Sequence, residues 1–313
     1  MRFLAWAAAG LAAGPALAGE PRFEPVALPV QHVYGGGWEF FVGGGVAVFD
    51  CDGDGFEEVF AAGGAGPARL FLNRTTAPGA PLRLEGGVEG PEGLPGAYPL
   101  DVDSDGIVDL ALLAVGPNRV WRGLGDCRFE EAAEAWGIAP GDAGTTAFSA
   151  TWEPGAAWPT LAFGSYVDRD DPEGPFEACH AHALLRPEGE GYGAPVALEP
   201  AFCTLSMLFS DWDRRGAADL RVSNDRHYYV RGGAEQMWRL DPLRLLGEAD
   251  GWQGPSSWGM GIASEELDGD RRPDVALTSM GDQLLMFNRK DGFEAAPYAI
   301  GPYAHRPHAG ADG

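Results

Sequence analysis

"VAVFDCDGDGFEEVFAAGG", residues 46–64, decides how the rest of the chain is read. Two apolar pulses enclose Asp50, Asp52, Asp54, Glu57 and Glu58. The chain crowds these acids into nine residues and then returns at once to apolar sequence. Such a stretch reads as a tight loop between two strands. Carboxylates held that close repel one another unless a cation sits among them.

The pattern returns along the chain. Asp101, Asp103, Asp105 and Asp109 precede LALLAVG; Asp211, Asp213 and Asp219 precede LRVSN; Glu266, Asp268, Asp270 and Asp274 precede VALTS. The steps between loop starts are 51, 110 and 55 residues, so the middle interval has room for one more copy. TAFSATWEPGAAWPTLAFGSYV fills it, keeping both apolar flanks and losing the acidic pattern. Each copy also leads into a second pair of strand-like runs, such as ARLFLNR and QLLMFNRKDGFEAA. Five units of four strands predict an all-β fold of propeller blades stacked face to face. The units span roughly 32–90, 91–140, 141–200, 201–252 and 253–300 of a single domain, 19–313, with a tail at 301–313.

These loops resemble the FG-GAP/VCBS repeats of integrin-like β-propellers, most of all the cartilage-acidic-protein type. The segments GGGVAVFDCDGDG, GAYPLDVDSDGIVDL, SMLFSDWDRRGAADLRVSNDR and SWGMGIASEELDGDRRPDVALTSMG carry the resemblance, which runs from about His32 to the end. It implies calcium in the loops, an adhesion or ligand-binding role, and commonly seven blades. With five units visible, an incomplete arc is one expectation. A closed ring of five is the other, in which Phe23 to Val30 adds a strand to the last blade. An open arc would expose apolar blade faces and favour self-association.

Calcium takes six to eight oxygen ligands. Acids at loop positions 1, 3, 5 and 9 can converge on one ion, and glycine at position 6 allows the left-handed turn. The candidate ligands are Asp50, Asp52, Asp54 and Glu58 in loop one, and Asp101, Asp103, Asp105 and Asp109 in loop two. Loop five offers Glu266, Asp268, Asp270 and Asp274, with Arg271 in place of the glycine. In loop four Arg215 stands where a ligand belongs and is expected to neutralise Asp211, Asp213 and Asp219. Loop three is expected to be empty. An EF-hand is excluded, because position 12 is Ala61 or Leu112 and both flanks read as strands.

A formal net charge of −24 disfavours nucleic acid and anionic membranes as partners. Residues 1–18 read as a secretory signal: Arg2, an interrupted apolar run, then Ala16-Leu17-Ala18. No later segment is long enough to span a bilayer. A secreted or periplasmic location follows as the expectation. Export favours disulfides among Cys51, Cys127, Cys179 and Cys203. Three pairings are possible, and proximity favours 179–203 with 51–127. Asn73-Arg-Thr75 matches a glycosylation sequon, a match close to chance at this chain length.

The ends of the second strands should gather on the rim away from the acidic loops. They bring Tyr166, Asp168, Arg169, Asn224, Asp225, Arg226 and His227, a candidate site for a protein or glycan ligand. Metalloprotease, nucleophile-elbow and Walker motifs are absent. The expected function is a binding module, not an enzyme. The alternative is a secreted carbohydrate-active hydrolase, since some propellers pair acids for glycoside hydrolysis.

Overall fold

The computed structural model describes residues 23–138, 141–171, 178–225, 233–281, 283–290 and 292–297. The expected signal segment, the tail, Arg226 and His227 lie outside the described residues. Among the described residues twenty strands form five four-stranded sheets, each following chain order from one edge to the other. The first blade is β1 (Val46–Phe49), β2 (Glu58–Ala61), β3 (Arg69–Asn73) and β4 (Leu84–Glu85). The second is β5 (Gly96–Leu100), β6 (Asp109–Leu113), β7 (Arg119–Gly123) and β8 (Phe129–Glu131). The third is β9 (Thr145–Thr151), β10 (Thr160–Ser165), β11 (His182–Leu185) and β12 (Val196–Leu198). The fourth is β13 (Thr204–Ser210), β14 (Asp219–Asn224), β15 (Gln236–Leu240) and β16 (Leu243–Leu245). The fifth is β17 (Gly259–Glu265), β18 (Asp274–Ser279), β19 (Leu284–Arg289) and β20 (Gly292–Ala295). All strand pairings within these sheets are antiparallel, so the chain is an all-β protein of propeller blades.

Burial follows from stacking. β6, β10 and β14 are buried along their whole length, as strands covered on both faces must be. Phe49, Phe60 and Leu70 of the first blade meet Leu110 and Leu112 of the second. Leu113 and Val120, on the second blade's other face, meet Phe148, Leu161 and Phe163. Leu184 meets Met207, Val222 and Trp238 between blades three and four. Trp212, Met237 and Trp252 pack on Phe293 between blades four and five.

Among the described residues no such cluster joins blade five to blade one. On the outer face of β1, Val46 is 57% exposed and Val48 49%. The strand expected over Phe23 to Val30 does not form, and Phe23, Val26, Leu28 and Val30 are exposed. Pro25 and Pro29 remove two donors from any ladder there. The chain instead reaches the first blade, where the His32 ring meets Phe71 edge-on at 6.1 Å and its Nε2 lies 2.8 Å from the Ala62 carbonyl.

Antiparallel order places the acidic loops on one rim and the second-strand ends on the other. Disulfides Cys51–Cys127 and Cys179–Cys203 are both formed. The first ties blades one and two at the acidic rim, and the second ties blades three and four at the opposite rim. Asn73 is buried, accepts from the Thr75 N–H and hydroxyl through Oδ1, and donates from Nδ2 to Glu57 O. Its amide is used in folding, so the sequon presents no accessible acceptor.

Candidate metal centres

Each acidic loop opens with a carboxylate that accepts backbone donors. Asp50 accepts from Gly53 N (2.7 Å) and Gly55 N (2.9 Å), and Asp101 from Asp105 N (3.1 Å) and Gly106 N (2.9 Å). These bonds curl the loop so that its other acids turn inward. The curl needs left-handed backbone at position 6, where Gly55, Gly106 and Gly216 have φ of 83°, 86° and 84°. Position 4 is left-handed too, which the sequence pattern did not reveal: Gly53 76°, Ser104 60°, Arg214 60° and Gly269 87°.

Arg271 holds position 6 of loop five at φ 67°. A side chain in that region costs roughly 1–2 kcal/mol against glycine. Arg271→Gly is therefore expected to stabilise the protein by about 1 kcal/mol, less glycine's larger unfolded-state entropy. Equilibrium urea unfolding measures it, and a destabilised variant would refute the strain.

Position 9 anchors the loop to the blade. Glu58 accepts from Cys51 N (3.0 Å) and Asn73 N (3.1 Å). Asp109 accepts from Val102 N and Gly123 N, both at 2.7 Å. Asp274 does the same with Leu267 N (2.9 Å) and Asn288 N (2.8 Å). All three side chains are buried. Burial pushes the Asp109 carboxyl up to about 6; the Gly123 and Val102 N–H groups oppose the shift, and Asp103 and Asp105 add to it. Glu58 is raised in the same way, chiefly by burial, with Asp52 and Asp54 adding.

Oxygens of Asp50, Asp52 and Glu58 lie within 4.8 Å of one another, as do those of Asp101, Asp103 and Asp109, and those of Glu266, Asp268 and Asp274. Position 5 does not join these triads. Oδ1 of Asp54, Asp105 and Asp270 each accepts the N–H two residues on, all at 2.8 Å. The triads suit a hard divalent cation: every donor is oxygen, and like charges lie close with burial against them. Cys51 and Cys127 also lie near Glu58, but as a disulfide they offer no thiolate.

Loop four carries its own cations. Arg215 pairs with Asp213 at 3.0 Å and bidentately with buried Asp219. Arg239 reaches Asp213 at 2.9 Å and Asp219 at 3.4 Å. Burial opposes the charge on Asp219, yet bonds from Arg215, Trp212 and Arg239 hold its carboxyl below the ordinary range. Among the described residues Asp211 forms no ion pair, and it accepts the Arg215 and Gly216 N–H groups. Loop three is not free of acids. Glu153 accepts from Thr160 Oγ1 (2.6 Å) and Arg186 Nε (2.9 Å).

On the opposite rim the fold brings Tyr166 to Asp225, 59 residues away, where the hydroxyl donates to the carboxylate. Arg169 pairs with Asp142 at 3.2 Å, and Asp168 accepts the Asp170 N–H. Asn224 turns inward and donates to Ala234 O (2.8 Å) and Gln236 Oε1 (3.1 Å). A short 3-10 turn, Trp38–Phe40, adds Trp38 and Glu39 to a crevice with Tyr166 and Arg169. The only sequence signal for that turn was an aromatic cluster after three glycines, Gly35 to Gly37.

No protein-family model matches the chain, and no curated protein matches it. Among solved structures, two crystal structures of BBS1N in complex with ARL6DN, soaked with lead and with mercury, are similar at 12% identity. Each alignment covers 86% of this chain and 84% of that chain, with TM-scores of 0.38 and 0.41. An Agrocybe aegerita lectin that recognises non-reducing terminal N-acetylglucosamine is similar at 14% identity over 80% of this chain and 64% of that one, with a TM-score of 0.40. Among the described residues no helix is long and apolar enough to cross a membrane.

Proposed function

We propose that the chain is an exported, calcium-binding propeller of the FG-GAP/VCBS type that serves as a ligand-binding or adhesion module. The observation that carries this reading is the repeated oxygen triad. Asp50/Asp52/Glu58, Asp101/Asp103/Asp109 and Glu266/Asp268/Asp274 occupy the same place in three blades. Calcium bound there would neutralise the carboxylates and tie the end of the first strand to the start of the second. Two disulfides support an oxidising compartment. The ligand surface is the opposite rim, around Tyr166, Asp168, Arg169, Asn224 and Asp225. A glycan and protein-ligand binding screen of the purified chain, with Arg169→Ala as the control, tests that surface.

Extracellular calcium sites commonly have dissociation constants near 10⁻⁴–10⁻³ M. At ten times the dissociation constant, each site stabilises the fold by about 1.4 kcal/mol. Chelator is expected to lower the melting temperature, and Asp103→Ala to remove part of that response. A melt indifferent to chelator, with no calcium in native mass spectrometry, overturns the calcium reading.

A further inference from the structure

One arginine at or beside the end of the third strand meets the acidic-rim loop in every blade. Arg74 pairs with Asp52 at 3.1 Å. Arg122 pairs with Asp103 at 2.8 Å and Asp105 at 2.9 Å. Arg186 pairs with Glu153, Arg239 with Asp213, and Arg289 with Asp268. The sequence carries the signal as FLNR, VWRG, LLRP, MWRL and FNRK. The acids vary between blades while the arginine recurs, even in blade three, where the acidic motif is gone.

We propose that these arginines compete with the divalent cation for the position-3 carboxylate and so set the affinity of each loop. This rests on the calcium reading above. Blade two shows the conflict most directly. Asp103 belongs to the oxygen triad, yet its Oδ2 is ion-paired with the Arg122 guanidinium at 2.8 Å and its Oδ1 accepts the Asp105 N–H at 3.3 Å. Arg122 also occupies Asp105 through Nη2. A divalent cation sharing Asp103 with a guanidinium meets a like charge, so binding is coupled to withdrawal of the arginine. Withdrawal is sterically open. The Arg122 side chain is 36% exposed, and Glu130, 3.9 Å away, offers a second partner at the rim. Blade four is the limit of the same design, with Arg215 joining Arg239 on Asp213 and Asp219. Without a cation, the arginine relieves carboxylate repulsion, so the loop keeps its fold in both states.

The test is isothermal titration of the full chain with calcium chloride. Arg122→Met is expected to tighten one site about tenfold, equivalent to about 1.4 kcal/mol. Arg122→Lys falls between, and adding Asp103→Asn abolishes the gain. In chelator, Arg122→Met melts below the wild type, and calcium closes the difference. A simple packing role would lower both melts equally. Should Arg122→Met misfold by circular dichroism, Arg74→Met repeats the test at Asp52. Unchanged or weaker calcium binding by a folded variant overturns the competition while leaving the calcium reading intact. No calcium binding by the wild type overturns that reading and this inference with it.

Discussion

Replacing Cys51 and Cys127 together by alanine is expected to destabilise the protein by about 4 kcal/mol. The bridge closes a loop across 76 residues of sequence, and removing it frees that loop in the unfolded chain. The bond from Cys127 N to Cys51 O, 3.1 Å, and the Phe49–Phe129 contact persist in the folded state, so the loss falls on the unfolded side. The Cys179–Cys203 pair spans 24 residues and is expected to contribute about 3 kcal/mol. Urea unfolding at fixed calcium, each double variant against wild type, measures both. Losses below about 1 kcal/mol would show that blade stacking, not the bridges, constrains the chain.

The second large effect lies between blades four and five. Arg221 is 2% exposed, and its guanidinium sits 4.6 Å from the Trp252 ring centre and 4.5 Å from that of Phe293. Glu235, also 2% exposed, accepts from Asn224 N (3.3 Å) and Ser257 Oγ (3.2 Å). Burial pulls Arg221 down to about 9, with the Glu235 charge opposing. Burial pushes the Glu235 carboxyl up to about 7, against the Asn224 N–H, the Ser223 and Ser257 hydroxyls and the Arg221 charge. Leaving buried donors without their acceptor costs about 1–3 kcal/mol. Glu235→Ala removes the acceptor of Asn224 N and Ser257 Oγ and is expected in that range by urea unfolding, and Glu235→Gln well below it. The pH dependence follows from the raised value. Glu235's contribution is complete below its ordinary value of 4.5 and lost as pH rises through about 7. Between those two values the fall is on the order of 3 kcal/mol. Glu58 and Asp109 slope the same way, so the comparison is wild type with Glu235→Gln in constant chelator. The gap between melting curves at pH 5 and 7.5 should narrow in the variant, and an unchanged gap would refute the assignment.

The blade repeat was legible because it is local. An acidic loop and its two strands occupy fewer than 25 residues, and their alternation and turn residues act within that span. Loop four was legible for the same reason, since Arg215 lies within the motif it neutralises. The arginines of the third strands were not. Arg122 is 19 residues from Asp103, and nothing in spacing says which side chain on a returning strand faces the loop. Asp54, Asp105 and Asp270 went the other way. The motif counts them as ligands, and it does not record that each Oδ1 also accepts the N–H two residues on.

From sequence alone came the strand count per blade, the positions of the loops, and the oxygen-donor residue types that would suit a hard cation. Those depend on side-chain alternation, glycine's access to left-handed backbone and carboxylate chemistry, all fixed within a few residues. Tertiary structure alone decided that Tyr166 meets Asp225, that Arg221 and Glu235 are buried between blades, and that Phe23 to Val30 forms no strand. Each depends on how one sheet lies against the next. That geometry is settled by the packing of Phe, Leu and Trp side chains far apart in the chain, where no local pattern records the partner.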